Sequence, residues 1–192
     1  ETVLILDFGA QYSQLIARRV REQNVYCEVK PCSISLTDPE ACPIGIILSG
    51  GPQSVYESVP CTWILRCFAR DPRSWHLLWM QLMAYSLGGT VAAATEATAR
   101  EYGKTLTEFD THSAIFQDLP ASSVTWNGHG DYISRVPDGF TVTAKTAVCP
   151  TAAMAAPEKR LYGVQFHPEV QHTVEGSEML RRFLYTVCGR VR

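Results

Sequence analysis

The segment Gln165–Val170 places a histidine and a glutamate directly after an apolar run, in a pattern that could move a proton. His167 and Glu169 are two residues apart and follow Leu161–Val164, which has the composition of a buried strand. An imidazole at the end of a strand can take a proton from a thiol, and a neighbouring carboxylate can orient the ring and stabilise its cation. By spacing alone, a surface or structural pair is the commoner explanation of a His-x-Glu sequence. The pattern is that of the acid–base half of a catalytic triad, to which a nucleophile would have to be added.

Two glycine-containing segments could line a site for a small ligand. An apolar run ends at Ser49–Pro52, in which Gly50 and Gly51 are free to adopt positive φ. In Gly128–Asp131, His129 and an acid stand between glycines, which is typical of a loop that lets the backbone approach a ligand closely. Taken alone, such a segment is more often a turn than a ligand clamp.

The elements that must position these residues alternate between strand and helix in the first fifty residues. Val3–Leu6 predicts a strand, Tyr12–Glu22 has apolar residues at helical spacing, and 25–29 and 44–48 predict two further strands. This order favours a parallel sheet buried on both faces, with sites at the carboxyl ends of its strands. The second half is richer in strands, predicted at 123–126, 140–147, 152–156 and 161–166, and closes with a helix over 176–187.

Composition indicates one compact domain acting on a small molecule or a protein partner. The chain has 192 residues, of which 46% are hydrophobic and 19% charged, enough for one sizeable core. We assign residues 1–189 to the domain and expect 190–192 to begin a linker to a second domain that the sequence does not contain. The net charge of -2 gives no sign of a nucleic-acid surface, and no apolar run reaches membrane-spanning length. With no targeting signal in view, we expect a cytoplasmic protein that binds neither nucleic acid nor membrane.

The cysteines argue against both a disulfide framework and a metal site. There are seven, an odd number, and none of their spacings is that of paired zinc ligands. We therefore expect reduced, mostly structural thiols and no bound metal.

Taken together, the motifs form an ordered set that resembles the class I glutamine amidotransferases, and within them the GMP synthase branch. The set comprises Leu6–Tyr12, Ile47–Pro52, Met80–Met83, Arg100–Gly103, Gly128–Asp131 and Tyr162–Val170. The Asp-Phe-Gly opening, the Arg-Glu-Tyr-Gly sequence, interpreted as a turn, and the stretch from Cys149 to Met154 favour this branch over the anthranilate, carbamoyl-phosphate and CTP synthases. The resemblance covers nearly the whole chain.

The resemblance implies an α/β domain with a flavodoxin-like fold, in which a mixed, mostly parallel central sheet is flanked by helices. It also implies a Cys-His-Glu triad whose thiolate attacks the side-chain amide of glutamine, with Gly50 and Gly51 helping to hold the oxyanion. His167 would then protonate the leaving ammonia and Glu169 would orient the ring.

The remaining implications concern the pocket and the partner. Gln81 and His129 match positions in loops that line the glutamine pocket. The domain itself would need no cofactor. ATP and Mg would be used by an ATP-pyrophosphatase synthetase domain or subunit, which would adenylate XMP and aminate it to GMP.

One position departs from the family pattern. The family carries Gly-Ile-Cys-Tyr-Gly directly before Met-Gln, with the cysteine on a strained turn between strand and helix. Here His76–Trp79 precede Met80, so Leu77 stands where the nucleophile belongs. The strand before it would run through Arg70–Arg73, whose buried charges and proline contradict a central strand. The chain as written therefore lacks the thiol, and we expect it to fold with reduced stability.

The genetic code offers an explanation of this departure. When 69–79 are back-translated and read from the second base, permitted codons give Leu-Gly-Ile-Pro-Val-Leu-Gly-Ile-Cys-Tyr-Gly, the pattern of the family. A similar shift over 62–67 also gives a sequence typical of the family. Our hypothesis is a set of three single-base deletions between about residues 58 and 80, which alter the frame over about 60–79 and then restore it.

Two functional interpretations follow. The first is a glutaminase domain whose nucleophile has been lost through a sequence error or a damaged gene. The second is an inactive pseudo-amidotransferase that keeps the glutamine pocket and docks on a synthetase partner. The intact His167 and Glu169 favour the first.

Overall fold

The computed structural model of the chain describes residues 2–9, 11–34, 43–50, 80–93 and 100–189. Gly51, Leu77 and the whole segment proposed to be frameshifted lie outside these ranges, as do residues 190–192. Three of the four described cysteines, Cys27, Cys149 and Cys188, are buried free thiols, as expected.

The first three described strands form a parallel sheet. These are β1 (Val3–Asp7), β2 (Cys27–Pro31) and β3 (Gly45–Leu48), in the order β2-β1-β3. Leu6 of β1 pairs with Lys30 on one side and Leu48 on the other, so the carboxyl ends of all three strands lie at one edge. Helix α1 (Ser13–Glu22) connects β1 to β2, the arrangement that the alternating pattern predicts.

Strand β2 begins two residues later than the expected 25–29. After α1 the chain turns at Asn24, which has φ of 58°, and the Val25 N–H donates to Val20 O instead of to a neighbouring strand. Val25 is nevertheless buried, so its apolar side chain belongs to the core although the residue lies in the turn before β2.

The C-terminal half is mostly antiparallel. A five-stranded sheet has the order β10-β9-β8-β5-β6, and β4 pairs with β7 in a separate ribbon. The bounds are β4 (Thr90–Ala93), β5 (Glu101–Phe109), β6 (Ser122–His129), β7 (Asp131–Arg135), β8 (Thr141–Lys145), β9 (Ala153–Ala156) and β10 (Leu161–Val164). Helix α2 (Met80–Ser86) precedes β4, and a 3₁₀ turn (Pro157–Lys159) joins β9 to β10. Helix α3 (Gly176–Arg182) closes the chain and continues as a π turn (Phe183–Val187).

The interpretation of Arg100–Gly103 as a turn is wrong. Glu101, Tyr102 and Gly103 are the first residues of β5 and pair with His129, Gly128 and Asn127 of β6. Gly103 has φ of 98°, which glycine tolerates within the strand without steric cost. The local glycine is therefore a feature of the strand and does not end it.

Two clusters of buried apolar side chains, one on each face of the parallel sheet, join the sheet to the helices that cover it. Val3 and Ile5 of β1 belong to a cluster that includes residues of α1 and α3, whereas Leu4 and Leu6 belong to a second cluster with residues of α2. Alternate residues of one strand thus face opposite cores, as expected when a parallel sheet is covered on both faces. Complete burial of each such side chain contributes about 1.5–3 kcal/mol. The pairing is mixed and helices cover the sheet, in agreement with the expected α/β, flavodoxin-like architecture.

Candidate active site

His167 and Glu169 are brought together as the sequence predicts. They follow β10 directly, and His167 Nδ1 lies 2.9 Å from Glu169 Oε1. Because the carboxylate can only accept, Nδ1 carries the proton of this hydrogen bond and Nε2 is left to exchange a proton with another group. The Glu169 side chain is 4% exposed and that of His167 is 30% exposed. The ring is therefore open on one side and anchored on the other.

Main-chain contacts hold the loop that carries this pair. The His167 N–H donates to Trp126 O of β6 at 2.9 Å. Thr173 Oγ1 donates to His167 O at 2.6 Å and accepts from the Trp126 N–H at 3.0 Å, so a single hydroxyl links the loop to the strand. The loop is fixed by backbone groups that substitution of the catalytic side chains would leave in place.

Helix α1 connects this loop to the edge of the parallel sheet. Arg19 Nε donates to Glu169 O at 2.9 Å, and the Tyr12 ring contacts the His167 ring edge-on with 5.2 Å between centroids. Tyr12 lies shortly after the end of β1. The imidazole consequently lies on the side where the carboxyl ends of the parallel strands are found, the usual location of sites in such sheets.

Gly50 follows β3 at the same edge. The neighbouring Ser49 is fully buried; its N–H donates to Leu6 O at 3.0 Å, and its Oγ accepts from the Phe8 N–H at 3.2 Å. These bonds connect the ends of β1 and β3 immediately before the glycine. Gly51 lies outside the described residues, and the role of the two glycines toward an oxyanion stays a prediction.

Gln81 is described, but in a helix and not in the expected loop. It is the second residue of α2, and its Nε2 donates to Asp131 O at 2.9 Å. Gln165, two residues before His167, donates from Nε2 to the same carbonyl oxygen at 2.5 Å. The Asp131 carbonyl thus joins helix α2 to the loop that carries His167. The sequence does not predict this contact, because every residue has a main-chain carbonyl and the residue type at position 131 therefore does not reveal the acceptor.

His129 is also not in a loop, since it is the last residue of β6. Gly128, the preceding residue, lies on the side of His167: a Cβ built on it would be 3.6 Å from His167 Nε2. Successive residues of a strand point to opposite faces, so His129 points away from His167, and it is 8% exposed. Its Nε2 lies 3.3 Å from Glu101 Oε2. Gly128 pairs with Tyr102 of β5, and Gly130 forms the bend between β6 and β7. Any contact of His129 with glutamine stays a prediction.

Cys149 lies near Glu101 and His129, so the three residue types of a Cys-His-Glu triad occur together away from His167. Its thiol is 1% exposed, and burial raises its pKa to about 11, with the Thr151 carbonyl as the acceptor of its proton. A buried, protonated thiol is a poor nucleophile. Cys149 therefore does not replace the cysteine expected at position 77.

Two further histidines, His112 and His172, lie in the described part of the chain. His112 is 97% exposed and pairs only with Asp110 at 3.0 Å among the described residues, and the His172 ring packs on Trp126 with 4.7 Å between centroids. Neither residue adds to the group around His167.

Comparison with known proteins gives the family. The model of the family described as glutamine amidotransferase class-I matches residues 4–187. GMP synthase [glutamine-hydrolyzing] of Alkaliphilus metalliredigens is 51% identical, with 98% of this chain aligned to 37% of the relative. The enzyme of the same description from Clostridium botulinum Alaska E43 is 48% identical, again over 98% of this chain and 37% of the relative. The chain thus spans little more than a third of the length of these curated relatives.

Solved structures agree with the fold. A protein of Thermoplasma acidophilum described as a GMP synthase subunit superposes with a TM-score of 0.87 and 27% identity, covering 98% of this chain and 94% of that one. A glutamine amidotransferase of Thermotoga maritima superposes with a TM-score of 0.81 over 98% of both chains at 17% identity, a likeness of fold alone. No helix in the described part of the chain combines the length and apolar character needed to cross a membrane. From its motifs, its fold and these matches, the chain belongs to the class I glutamine amidotransferases and corresponds to the amidotransferase domain of GMP synthases.

Proposed function

We propose that this chain is the glutaminase domain of a GMP synthase, which hydrolyses glutamine to glutamate and ammonia for the amination of XMP to GMP in purine nucleotide biosynthesis. The observation that carries the proposal is the 2.9 Å contact between His167 Nδ1 and the buried Glu169, which leaves Nε2 open at the edge of the sheet. The identity of 48–51% to glutamine-hydrolysing GMP synthases supports it.

The geometry suits general acid–base work in thioester chemistry. A cysteine thiolate would attack the amide carbon of glutamine, and His167 would give its Nε2 proton to the departing ammonia. Water would then hydrolyse the thioester, with His167 taking a proton from it. Glu169 would hold the ring in the tautomer that this sequence needs, in the manner of the third member of a triad.

The other site residues take roles around this pair. Gly50 and Gly51 would donate backbone N–H groups to the oxyanion, and Gln81 would line the glutamine pocket from the first turn of α2. His129, which is buried behind Gly128, would support the pocket from beneath and not from its surface.

The nucleophile is the missing part. We propose that Leu77 occupies its position because the reading frame is altered over about 60–79, and that the chain as written does not hydrolyse glutamine. Sequencing of the source DNA tests this directly: codons at 69–79 that forbid the shifted reading would rule out the frame hypothesis.

The partner is proposed from the length of the relatives. The chain matches 37% of each curated relative. We assign to the remainder an ATP-pyrophosphatase synthetase unit that uses ATP and Mg, fused or separate, in the cytoplasm. The amidotransferase domain itself is proposed to work without a cofactor.

The deciding experiment measures glutamate released from glutamine by two proteins. One is the chain as written, and the other has residues 60–79 replaced by the shifted-frame sequence; each is assayed with and without a GMP synthase synthetase domain. We expect turnover by the restored variant only. Turnover by the chain as written would show that the nucleophile lies elsewhere and that the site is assigned wrongly.

A second candidate is the inactive pseudo-amidotransferase that binds glutamine and docks on a synthetase. The departure at Leu77 favours it if the codons prove genuine. Isothermal titration of the chain as written with glutamine separates the two: tight binding without turnover, together with an intact frame, would favour the pseudoenzyme.

A further inference from the structure

Three buried side chains of metal-binding type meet on the side of β6 that faces away from His167. Glu101 begins β5, His129 ends β6, and Cys149 lies in the connection between β8 and β9. One carboxylate oxygen, one ring nitrogen and the sulfur all lie within 4.8 Å of one another. We call these three residues the Glu-His-Cys cluster.

The cluster contains polar atoms that burial should not leave without partners. Glu101 and His129 are 5% and 8% exposed, yet Glu101 Oε2 and both ring nitrogens of His129 form no hydrogen bond of acceptable geometry. The other carboxylate oxygen, Oε1, is used: it accepts from Thr146 Oγ1 at 2.6 Å. Buried polar atoms without a hydrogen bond are rare and destabilising in folded proteins, so a further partner for the carboxylate and the ring is the natural explanation.

The spacing suits a cation between these atoms. Glu101 Oε2 and His129 Nε2 are 3.3 Å apart. Two ligands that are each about 2.0 Å from a tetrahedral zinc ion lie about 3.3 Å from one another. The sulfur lies within 4.8 Å of the other two ligand atoms. A tetrahedral zinc ion would hold it roughly 3.5 Å from each of them, so it would approach by up to about 1.3 Å.

We propose that the Glu-His-Cys cluster is a structural binding site for a divalent transition-metal ion, Zn²⁺ by its donor set. A carboxylate oxygen, an imidazole nitrogen and a thiolate sulfur are the zinc ligands found in proteins, and a mixed set of this kind disfavours Mg²⁺ and Ca²⁺. Binding of the ion would displace the proton of the Cys149 thiol to solvent, and the thiolate and the Glu101 carboxylate would then together balance the two positive charges of the ion. Gln165, whose Oε1 lies 3.9 Å from the Cys149 sulfur, is a candidate for the fourth ligand.

The location gives the site a structural purpose. Its ligands come from two paired strands and a neighbouring connection, so an ion would fasten three parts of the antiparallel half together. Gln165 stands two residues before His167 and binds the Asp131 carbonyl. The ion would therefore stiffen the base of the catalytic loop without touching glutamine.

Cobalt binding tests the proposal without any need for turnover. The chain is freed of metal with a chelator, kept reduced, confirmed as folded by circular dichroism, and titrated with Co²⁺. We expect one equivalent to produce a near-ultraviolet thiolate-to-cobalt absorption band and visible absorption typical of tetrahedral Co²⁺, both removed by Zn²⁺. If the chain as written does not fold, the same titration is made on the variant restored over 60–79.

Matched cysteine variants identify the ligand. Cys149→Ser should lose the charge-transfer band and bind at least about tenfold more weakly, whereas Cys27→Ser, which removes an equally buried thiol of β2, should behave like the parent. Should Cys149→Ser fail to fold, Glu101→Gln serves instead: its amide oxygen can still accept from Thr146, and weaker binding with the band retained is expected. A folded parent that shows no band, or a band that survives in Cys149→Ser, overturns the proposal and leaves the cluster a buried Glu–His pair beside a thiol.

Discussion

Among single residues, Glu169 shows how burial and function are combined. Its carboxylate is almost fully buried and is held 2.9 Å from the His167 ring, while Arg19 binds its main-chain oxygen and not its side chain. Among the described residues, the imidazole is thus the hydrogen-bond partner of this carboxylate. A buried charge with a single partner at one ring nitrogen is suited to fixing both the tautomer and the orientation of that ring.

Replacement of the Glu169 carboxylate by an amide tests its role in orienting the His167 ring, because the side-chain volume is kept. In the variant restored over 60–79, Glu169→Gln keeps the volume but weakens the hydrogen bond to Nδ1, and we expect kcat for glutamate release to fall by about 10²–10⁴-fold. The assay is run with the synthetase domain present. Glu158→Gln, on the exposed 3₁₀ turn, is the control and should leave kcat unchanged. An unaltered kcat in Glu169→Gln would remove this residue from the triad.

Thr146 is a second residue whose small side chain carries several contacts. Its hydroxyl donates to Glu101 Oε1 at 2.6 Å and accepts from the N–H groups of Cys149 at 2.9 Å and Val148 at 3.3 Å. Thr146→Val keeps the shape and removes all three bonds, so we expect the free energy of unfolding to fall by about 2 kcal/mol. Urea unfolding measures it. Thr146→Ser retains the hydroxyl and should lose less than about 1 kcal/mol. A loss in Thr146→Val that is no larger than that in Thr146→Ser would show that the three hydroxyl bonds do not stabilise the fold as expected.

Among the elements, a strand could be predicted from the sequence only where the side chains that it buries are apolar. β1 and β3 were predictable because their residues are apolar on both faces. β5 was missed because its inward face consists of Glu101, Gly103, Thr105, Thr107 and Phe109, of which only the last is apolar. Thr107 Oγ1 instead bonds Thr125 Oγ1 of β6 at 2.7 Å in the interior. A period-two apolar pattern cannot reveal a strand whose buried side is satisfied by hydroxyl pairs.

The candidate site divides in the same way. The His167–Glu169 pair could be predicted because its two members are adjacent in sequence and follow an apolar strand. The Glu-His-Cys cluster could not be predicted, because Glu101, His129 and Cys149 are far apart in the sequence and no motif spacing relates them. The pairing of β5 with β6 brings the first two together, and that pairing was itself unexpected.

Helix α3 restricts the catalytic loop through one glycine. A Cβ on Gly176, the first residue of α3, would lie 2.0 Å from the Pro168 carbonyl oxygen, between the two catalytic side chains in sequence. Because backbone cannot move aside as a side chain can, Gly176→Ala should lower the free energy of unfolding by about 3 kcal/mol or more. Chemical denaturation tests this against Gly130→Ala, whose Cβ would meet only the exposed Tyr102 hydroxyl at 3.4 Å. A loss below about 0.5 kcal/mol for Gly176→Ala would mean that α3 does not press on the loop.

For the whole molecule, the sequence predicts a lowered thermal stability, because one expected central strand is polar. A central strand running through Arg70–Arg73 would bury charges that cost several kcal/mol each. The variant restored over 60–79 should therefore melt at a higher temperature than the chain as written, by roughly 5 °C or more. Calorimetry of the two proteins under the same conditions measures the difference. Equal melting temperatures would show that the segment as written is compatible with the fold.

The hydrogen bonds that hold the His167 loop are formed by Trp126, Thr173 and Arg19, all of which are far in sequence from residues 60–79. If the reading frame is altered as we propose, the genetic damage lies in one segment of the gene, and the residues that hold the His167 loop are encoded elsewhere. Repair of that one segment of DNA would then be enough to restore the site, because the codons for the His167 loop lie outside it. A gene damaged in this way would regain the enzyme through repairs confined to about residues 58–80, for as long as the codons of the His167 loop stayed unchanged.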